Sequence, residues 1–181
     1  SLPIGSVVAS AQITTGLTHT WVGDLVAKLQ TPGGTVMGIF SRPGFAEVDD
    51  TGLPSSGFGD SSNLAAANVL TFRDPGAFSA ESMGSTLAGT NDVICLQDAR
   101  CDYFAARGAV AGPPDDFADL AGQSARGNWT LCVGDRAAGD TGSLATWSLT
   151  VGTPSESSLR MPIAVRPAIP PTPPVITVTP A

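Results

Sequence analysis

Five aspartates carry most of the chemical potential of this chain, and each lies in a glycine- or serine-rich connection. They are Asp24 after Trp21-Val22-Gly23, Asp60 after Gly57-Phe58-Gly59, Asp74 before Pro75-Gly76, and Asp135 and Asp140 on either side of Arg136-Ala137-Ala138-Gly139. Carboxylates beside strand ends, together with carbonyls freed by turns, make a hard-oxygen donor set. Calcium takes roughly six to eight such oxygens. Asp24, Asp60 and Asp74 form the first candidate calcium set, and Asp135 with Asp140 a second. The competing role for each is structural, because aspartate bonds its own backbone two residues on and so forms turns. The spacing does not match an EF-hand loop.

Catalytic chemistry finds little to work with. A Ser-His-Asp hydrolase needs a base beside its serine, and His19 is the single histidine. No Gly-x-Ser-x-Gly elbow, glycine-rich phosphate loop or cofactor fingerprint occurs. Paired carboxylates can hydrolyse glycosides, yet these aspartates occupy loops suited to turns or calcium. No catalytic residue is therefore assigned. The net charge of −7 opposes nucleic-acid binding, which needs clustered Lys and Arg. No apolar run is long enough to span a membrane. Cys95 and Cys101 enclose five residues and could close a local disulfide. Cys132 sits in mid-strand and is expected to be small and at least half-buried. One histidine and no CxxC pair argue against zinc. Asn128-Trp129-Thr130 fits a glycosylation sequon by pattern and is read as accidental.

These residues need a scaffold, and the patterning describes strands. Val7, Ala9, Ala11 and Ile13 alternate with polar neighbours, predicting a strand over 4–15 that breaks at Thr15-Gly16-Leu17-Thr18. Residues 25–30 and 36–40 flank Thr31-Pro32-Gly33-Gly34-Thr35, which predicts a hairpin. Residues 41–63 are turn-rich, with Phe45 and Phe58 as candidate apolar anchors. Residues 69–73 form a short strand stopped by Asp74-Pro75-Gly76. A helical turn near Asp115–Leu120 would put Phe117 and Leu120 on the core. Trp129, Leu131 and Val133 alternate, as do Trp147, Leu149 and Val151. With a Gly/Asp-rich connection between them, the pair reads as a closing hairpin with both tryptophans buried. Eight prolines fall from Pro154 onward, and Pro170-Pro171-Thr172-Pro173-Pro174 should be extended polyproline II. Residues 1–152 thus read as one β-sandwich domain and 153–181 as a proline-rich linker. The alternative for the tail is that Val175-Ile176-Thr177-Val178 begins another module or docks on an edge of the first.

Several of these segments resemble, in order, the P domain (P/Homo B domain) that accompanies kexin- and furin-like proprotein convertases and secreted bacterial subtilisin-like proteases. They are His19-Thr20-Trp21-Val22-Gly23-Asp24-Leu25, Leu29-Gln30-Thr31-Pro32-Gly33-Gly34-Thr35 and Arg42-Pro43, then Phe117-Ala118-Asp119-Leu120-Ala121-Gly122 and Gly127-Asn128-Trp129-Thr130-Leu131. Asp135, Gly139-Asp140-Thr141-Gly142-Ser143-Leu144 and Trp147-Ser148-Leu149 complete the match. Residues 77–106, longer than the pattern and carrying Cys95 and Cys101, depart from it. The resemblance implies an all-β jelly-roll sandwich and a secreted, monomeric, non-catalytic accessory domain. Its partner would be a subtilisin-like serine protease domain, or another domain, in cis. It also implies bound calcium, and it gives His19 a structural role at a strand start, bonding across a turn. The alternative function is an independent carbohydrate- or protein-binding jelly-roll module, for which Trp21 and Tyr103 are the remaining aromatic candidates.

Overall fold

The computed structural model describes residues 2–47, 57–106 and 116–154. Eight strands follow one another: β1 (Ser10–His19), β2 (Leu25–Gln30), β3 (Val36–Ser41), β4 (Leu70–Arg73), β5 (Phe78–Ser79), β6 (Asp102–Phe104), β7 (Thr130–Asp135) and β8 (Gly142–Gly152). Short 3-10 turns occupy Val22–Asp24, Ala80–Ser82 and Ala118–Leu120. The strands form two sheets, in the orders β5-β6-β4-β1-β8 and β3-β2-β7. β6 pairs in parallel with β4 and β5, and the other ladders are antiparallel. The architecture is all-β with two sheets, as the patterning predicts.

The core lies between the sheets. Ile13, Leu17 and Leu70 from one sheet and Leu29, Met37 and Ile39 from the other are all buried. Phe72 of β4 stacks between Phe40 of β3 at 5.5 Å and Tyr103 of β6 at 6.0 Å, so the aromatic stack ties the sheets together. Phe117 and Leu120 are buried as their spacing predicts. The β2–β3 hairpin forms around Pro32-Gly33-Gly34, and Cys95 is bonded to Cys101.

Four expectations need correction. β1 does not end at Thr15 but runs on to His19. Gly16 instead marks an irregularity where the register with β8 shifts, and a side chain there would collide with the Ala66 carbonyl and Thr146 Oγ1. Residues 129–151 do not make a hairpin. β7 pairs with β2 and β8 with β1, so the connection arches from one sheet to the other. Alternation shows that a segment is a strand with one apolar face, and it is silent on whether the next strand is its partner or its opposite number. Trp147 is consequently 38 % exposed and Trp129 only half-buried, its indole N–H donating to the Ala125 carbonyl at 3.3 Å. Cys132 is exposed rather than half-buried, because it falls on the outer face of β7. Phe58 is 79 % exposed and no core anchor, although it packs on Trp21 at 5.9 Å. The turn-rich residues 48–56 and the tail from 155 onward lie outside the described residues.

Candidate metal centre

At the His19 end of β1 the chain turns through Val22–Asp24 and enters β2, carrying Asp24 inside. Asp24 is 2 % exposed, its carbonyl accepts from the Arg136 N–H at 2.8 Å, and its Oδ1 is buried without a hydrogen-bond partner. β7 ends at Asp135, opposite Leu25, and the arch that follows carries Asp140 back to the same corner. Burial raises the Asp24 pKa above the usual carboxylate value, and repulsion from Asp135 and then Asp140 raises it further. His19 and Arg42 pull the other way.

The surrounding groups fix this corner. The His19 Nδ1 lies 2.8 Å from the Trp21 carbonyl and 3.1 Å from the Trp21 nitrogen, while Nε2 lies 3.4 Å from Asp135 Oδ2. Both ring nitrogens are engaged, which leaves neither free to activate a serine. The bond across the 19–21 turn is the one the resemblance implies, although His19 ends β1 rather than starting a strand. Thr20 donates to Asp140 Oδ1 at 2.6 Å, and Asp135 Oδ1 accepts from the Ala137 N–H at 3.2 Å in a local turn. Arg42, wholly buried and held in the left-handed region at φ 45°, donates from Nε to the Gly23 carbonyl at 3.2 Å. Its Nη2 donates to the Gly57 carbonyl at 2.7 Å. The guanidinium also sits 4.1 Å over the Phe45 ring. Gly23 packs backbone to backbone against Gly59, where any side chain would collide.

The other two aspartates are placed differently. Asp60 accepts from the Ser62 N–H at 2.8 Å, an Asx turn. Asp74 lines a hollow with Ser10, Ala11 and Phe117 at the opposite end of β1, and its Oδ2 accepts from the Ala118 N–H at 3.0 Å. A ten-residue strand spans about 30 Å, so Asp24, Asp60 and Asp74 do not converge on one ion. The structure instead groups Asp24 with Asp135 and Asp140, residues that the sequence placed in two sets. Chain order could not reveal this, since more than a hundred residues separate them. Thr20 and Arg42 lie in segments that carry the resemblance, but neither was singled out as a member of the corner.

The unpartnered oxygen on Asp24, with two carboxylates near enough to repel it, suits a hard cation. Among the described residues no three or more His, Cys, Asp or Glu side chains stand close enough together to hold a metal ion as they are placed here. Beside this corner, Leu17, His19, Val133, Asp135 and Leu144 line an open cleft of about 220 Å³. That is below the roughly 300–1,000 Å³ typical of small-molecule pockets, and Asp135 is the one carboxylate in its lining.

A separate carboxylate titrates near neutrality. Burial pushes Glu81 up to about 7 from 4.5, against a stabilising bond from the Gly44 N–H at 3.0 Å, and Glu47 adds repulsion. Between pH 4.5 and 7 the folded state binds this proton more tightly than the unfolded chain does. Its contribution to stability is therefore greatest at low pH and is lost as pH rises through that window. Glu81→Gln should flatten this part of the stability-against-pH curve in denaturant titrations, and an unchanged slope would contradict the assignment.

No curated protein and no solved structure matches the chain. Residues 113–151, which include the Ala118–Leu120 turn, β7 and most of β8, match the family model of the proprotein convertase P-domain, so the resemblance read from the sequence stands on the segment that carries Asp135 and Asp140.

Proposed function

We propose that this chain is a secreted accessory module of the P-domain type. It has no catalytic role of its own, and it stabilises or positions a subtilisin-like protease domain, or another neighbour, in cis. The observation that carries this reading is the match over residues 113–151. The two packed sheets suit the jelly-roll order of such a module, and the engaged ring of His19 supports a structural rather than catalytic corner. In the full-length parent, deleting residues 1–152 should shorten the thermal half-life of the neighbouring domain. An unchanged half-life and activity would overturn the accessory role.

Calcium at Asp24, Asp135 and Asp140 is part of the same proposal. A cation there would compensate the buried charge of Asp24, with Asp135 and Asp140 as further donors. Calcium at a hundredfold excess over its dissociation constant should stabilise the fold by about 2.7 kcal/mol. Asp24→Asn should abolish the calcium-dependent rise in melting temperature, and Asp74→Asn should preserve it. In chelator the Asp24→Asn protein should melt no lower than the parent, since the charge it removes is buried and repelled by its neighbours. Equal melting of the parent in calcium and in chelator would return these aspartates to turn formation.

The alternative of a carbohydrate-binding module is weakened by Tyr103, which is buried with its hydroxyl donating to the Arg100 carbonyl at 2.7 Å.

A further inference from the structure

One flank of the sandwich is open. β8 pairs only with β1 and β7 only with β2, so among the described residues each strand has a free edge. Val133 of β7 and Leu144 of β8 line the same cleft, so the two edges lie side by side. The register sets Val151, Leu149 and Trp147 opposite Ala11, Ile13 and Thr15, all three of which are buried. Leu131 and Val133 likewise oppose Leu29 and Ala27. These flank residues face the core yet are not enclosed. Trp147 and Leu144 are 38 % and 37 % exposed, and Leu131, Val133, Leu149 and Val151 are half-buried. Inner-face positions of a packed sandwich normally form its core. β8 also carries no charged residue and no proline along its eleven residues. Folded proteins cover or break an edge of that kind.

The two ends of this flank differ in charge. At the Gly142 end stand Asp135 and Asp140, with Asp24 buried beside them and Arg136 offsetting one of the three carboxylates. At the Gly152 end stands Arg126. The Gly152 carbonyl accepts from the Ala9 N–H at 2.8 Å, and the neighbouring Val8 N–H donates to the Gln123 carbonyl at 2.9 Å. The Ser124 hydroxyl then donates to the Arg126 carbonyl at 3.0 Å. Arg126 is exposed and lies just before β7.

We propose that this flank is the contact between two copies of the chain, their β8 edges paired antiparallel about a two-fold axis at Trp147. A two-fold contact uses the same patch on both copies, so the patch must match itself when turned round. β8 meets that condition, because it holds no charge to oppose and Trp147 stands at its midpoint. The turn sets Arg126 of each copy toward Asp135 and Asp140 of the other, plus to minus. It also keeps the two acidic ends about 35 Å apart, the length of the strand. Physiological salt screens exposed charges over about 8 Å, so the net charge of −7 on each chain opposes the contact little. Pairing closes both β8 edges and encloses the apolar side chains of Leu144, Trp147 and Leu149 that one copy leaves open. A pair of copies replaces the monomer that the resemblance implies, and it requires neither calcium nor a protease domain.

Sedimentation velocity on residues 1–181 in chelator tests the pairing with no cation at the Asp135 corner. The parent should sediment as twice 18.3 kDa at micromolar concentration. Trp147→Asp brings two like charges face to face at the axis and should raise the dissociation constant by about a hundredfold or more. Arg126→Glu sets like charge against Asp135 and Asp140 and should raise it by about tenfold. A parent that sediments as a single chain would overturn the proposal, and protected β8 amides in that monomer would assign the edge to another part of the same chain. A Trp147→Asp protein that pairs as tightly as the parent would put the contact on a different surface. An unchanged constant in Arg126→Glu would rule out the two-fold arrangement. Should Trp147→Asp fail to fold, Arg126→Glu still decides, because Arg126 is exposed and lies outside the strands.

Discussion

Arg42→Ala is expected to destabilise the fold by about 3 kcal/mol or more, read as a lowered midpoint in urea. The guanidinium is wholly buried and satisfies the Gly23 and Gly57 carbonyls, and its removal strands both acceptors. Charged hydrogen bonds of this kind contribute about 1.5–3 kcal/mol each, and an orphaned buried acceptor costs about 1–3 kcal/mol. The stem and its contact with Phe45 add packing that alanine cannot replace. Arg42→Met should recover part of the packing and none of the polar contacts, so it should fall between alanine and the parent. A loss below about 1 kcal/mol for alanine would show that the carbonyls find other partners. The same substitution removes a positive charge that favours ionised Asp24.

Phe72→Ala should cost about 3–5 kcal/mol, the range for truncating a buried aromatic. Phe72 is 1 % exposed and is the middle ring of the stack running from Phe40 through to Tyr103. Its loss opens a cavity against both sheets, and neither neighbour can collapse into it without leaving its own strand. Trp129→Ala makes the useful comparison. Trp129 is only half-buried, so its truncation should cost clearly less despite the larger ring. Equal costs would mean that the flank along β7 is better covered than the described residues show.

The difference between these two aromatics shows how far the sequence could be read. Leu70–Arg73 was legible as a short alternating run stopped by Asp74-Pro75-Gly76, and Val36–Ser41 as a largely apolar run after the Pro32-Gly33-Gly34 turn, which makes its two strands neighbours. Cys95 and Cys101 were legible because a five-residue loop brings them together without help from the rest of the fold. What lay hidden was long-range. The period of Trp129, Leu131 and Val133 specifies an inner face, but only the partner strand decides whether that face is central or marginal. Gly16 reads as a break in isolation, whereas tertiary crowding uses its missing side chain to let other backbone approach. The candidate site divides in the same way. Asp60 and Asp74 act within their own loops or on the turn at 117–118, and the turn-forming reading described that chemistry. The grouping of Asp24 with Asp135 and Asp140 exists only once β2 has paired with β7.

The pairing of β1 with β8 also constrains when the domain can form. It joins residues 10–19 to residues 142–152, almost the first and the last of the described chain. Loop-closure entropy must be overcome before so distant a ladder contributes, and topologies of this type fold in about milliseconds to seconds rather than microseconds. During synthesis β1 is among the first segments made, and its buried Ala11 and Ile13 have no neighbour on the β8 side until residue 152 has emerged. A nascent chain halted before residue 142 therefore holds an unfinished sheet with an apolar edge exposed, and folding of the whole domain waits on its final strand.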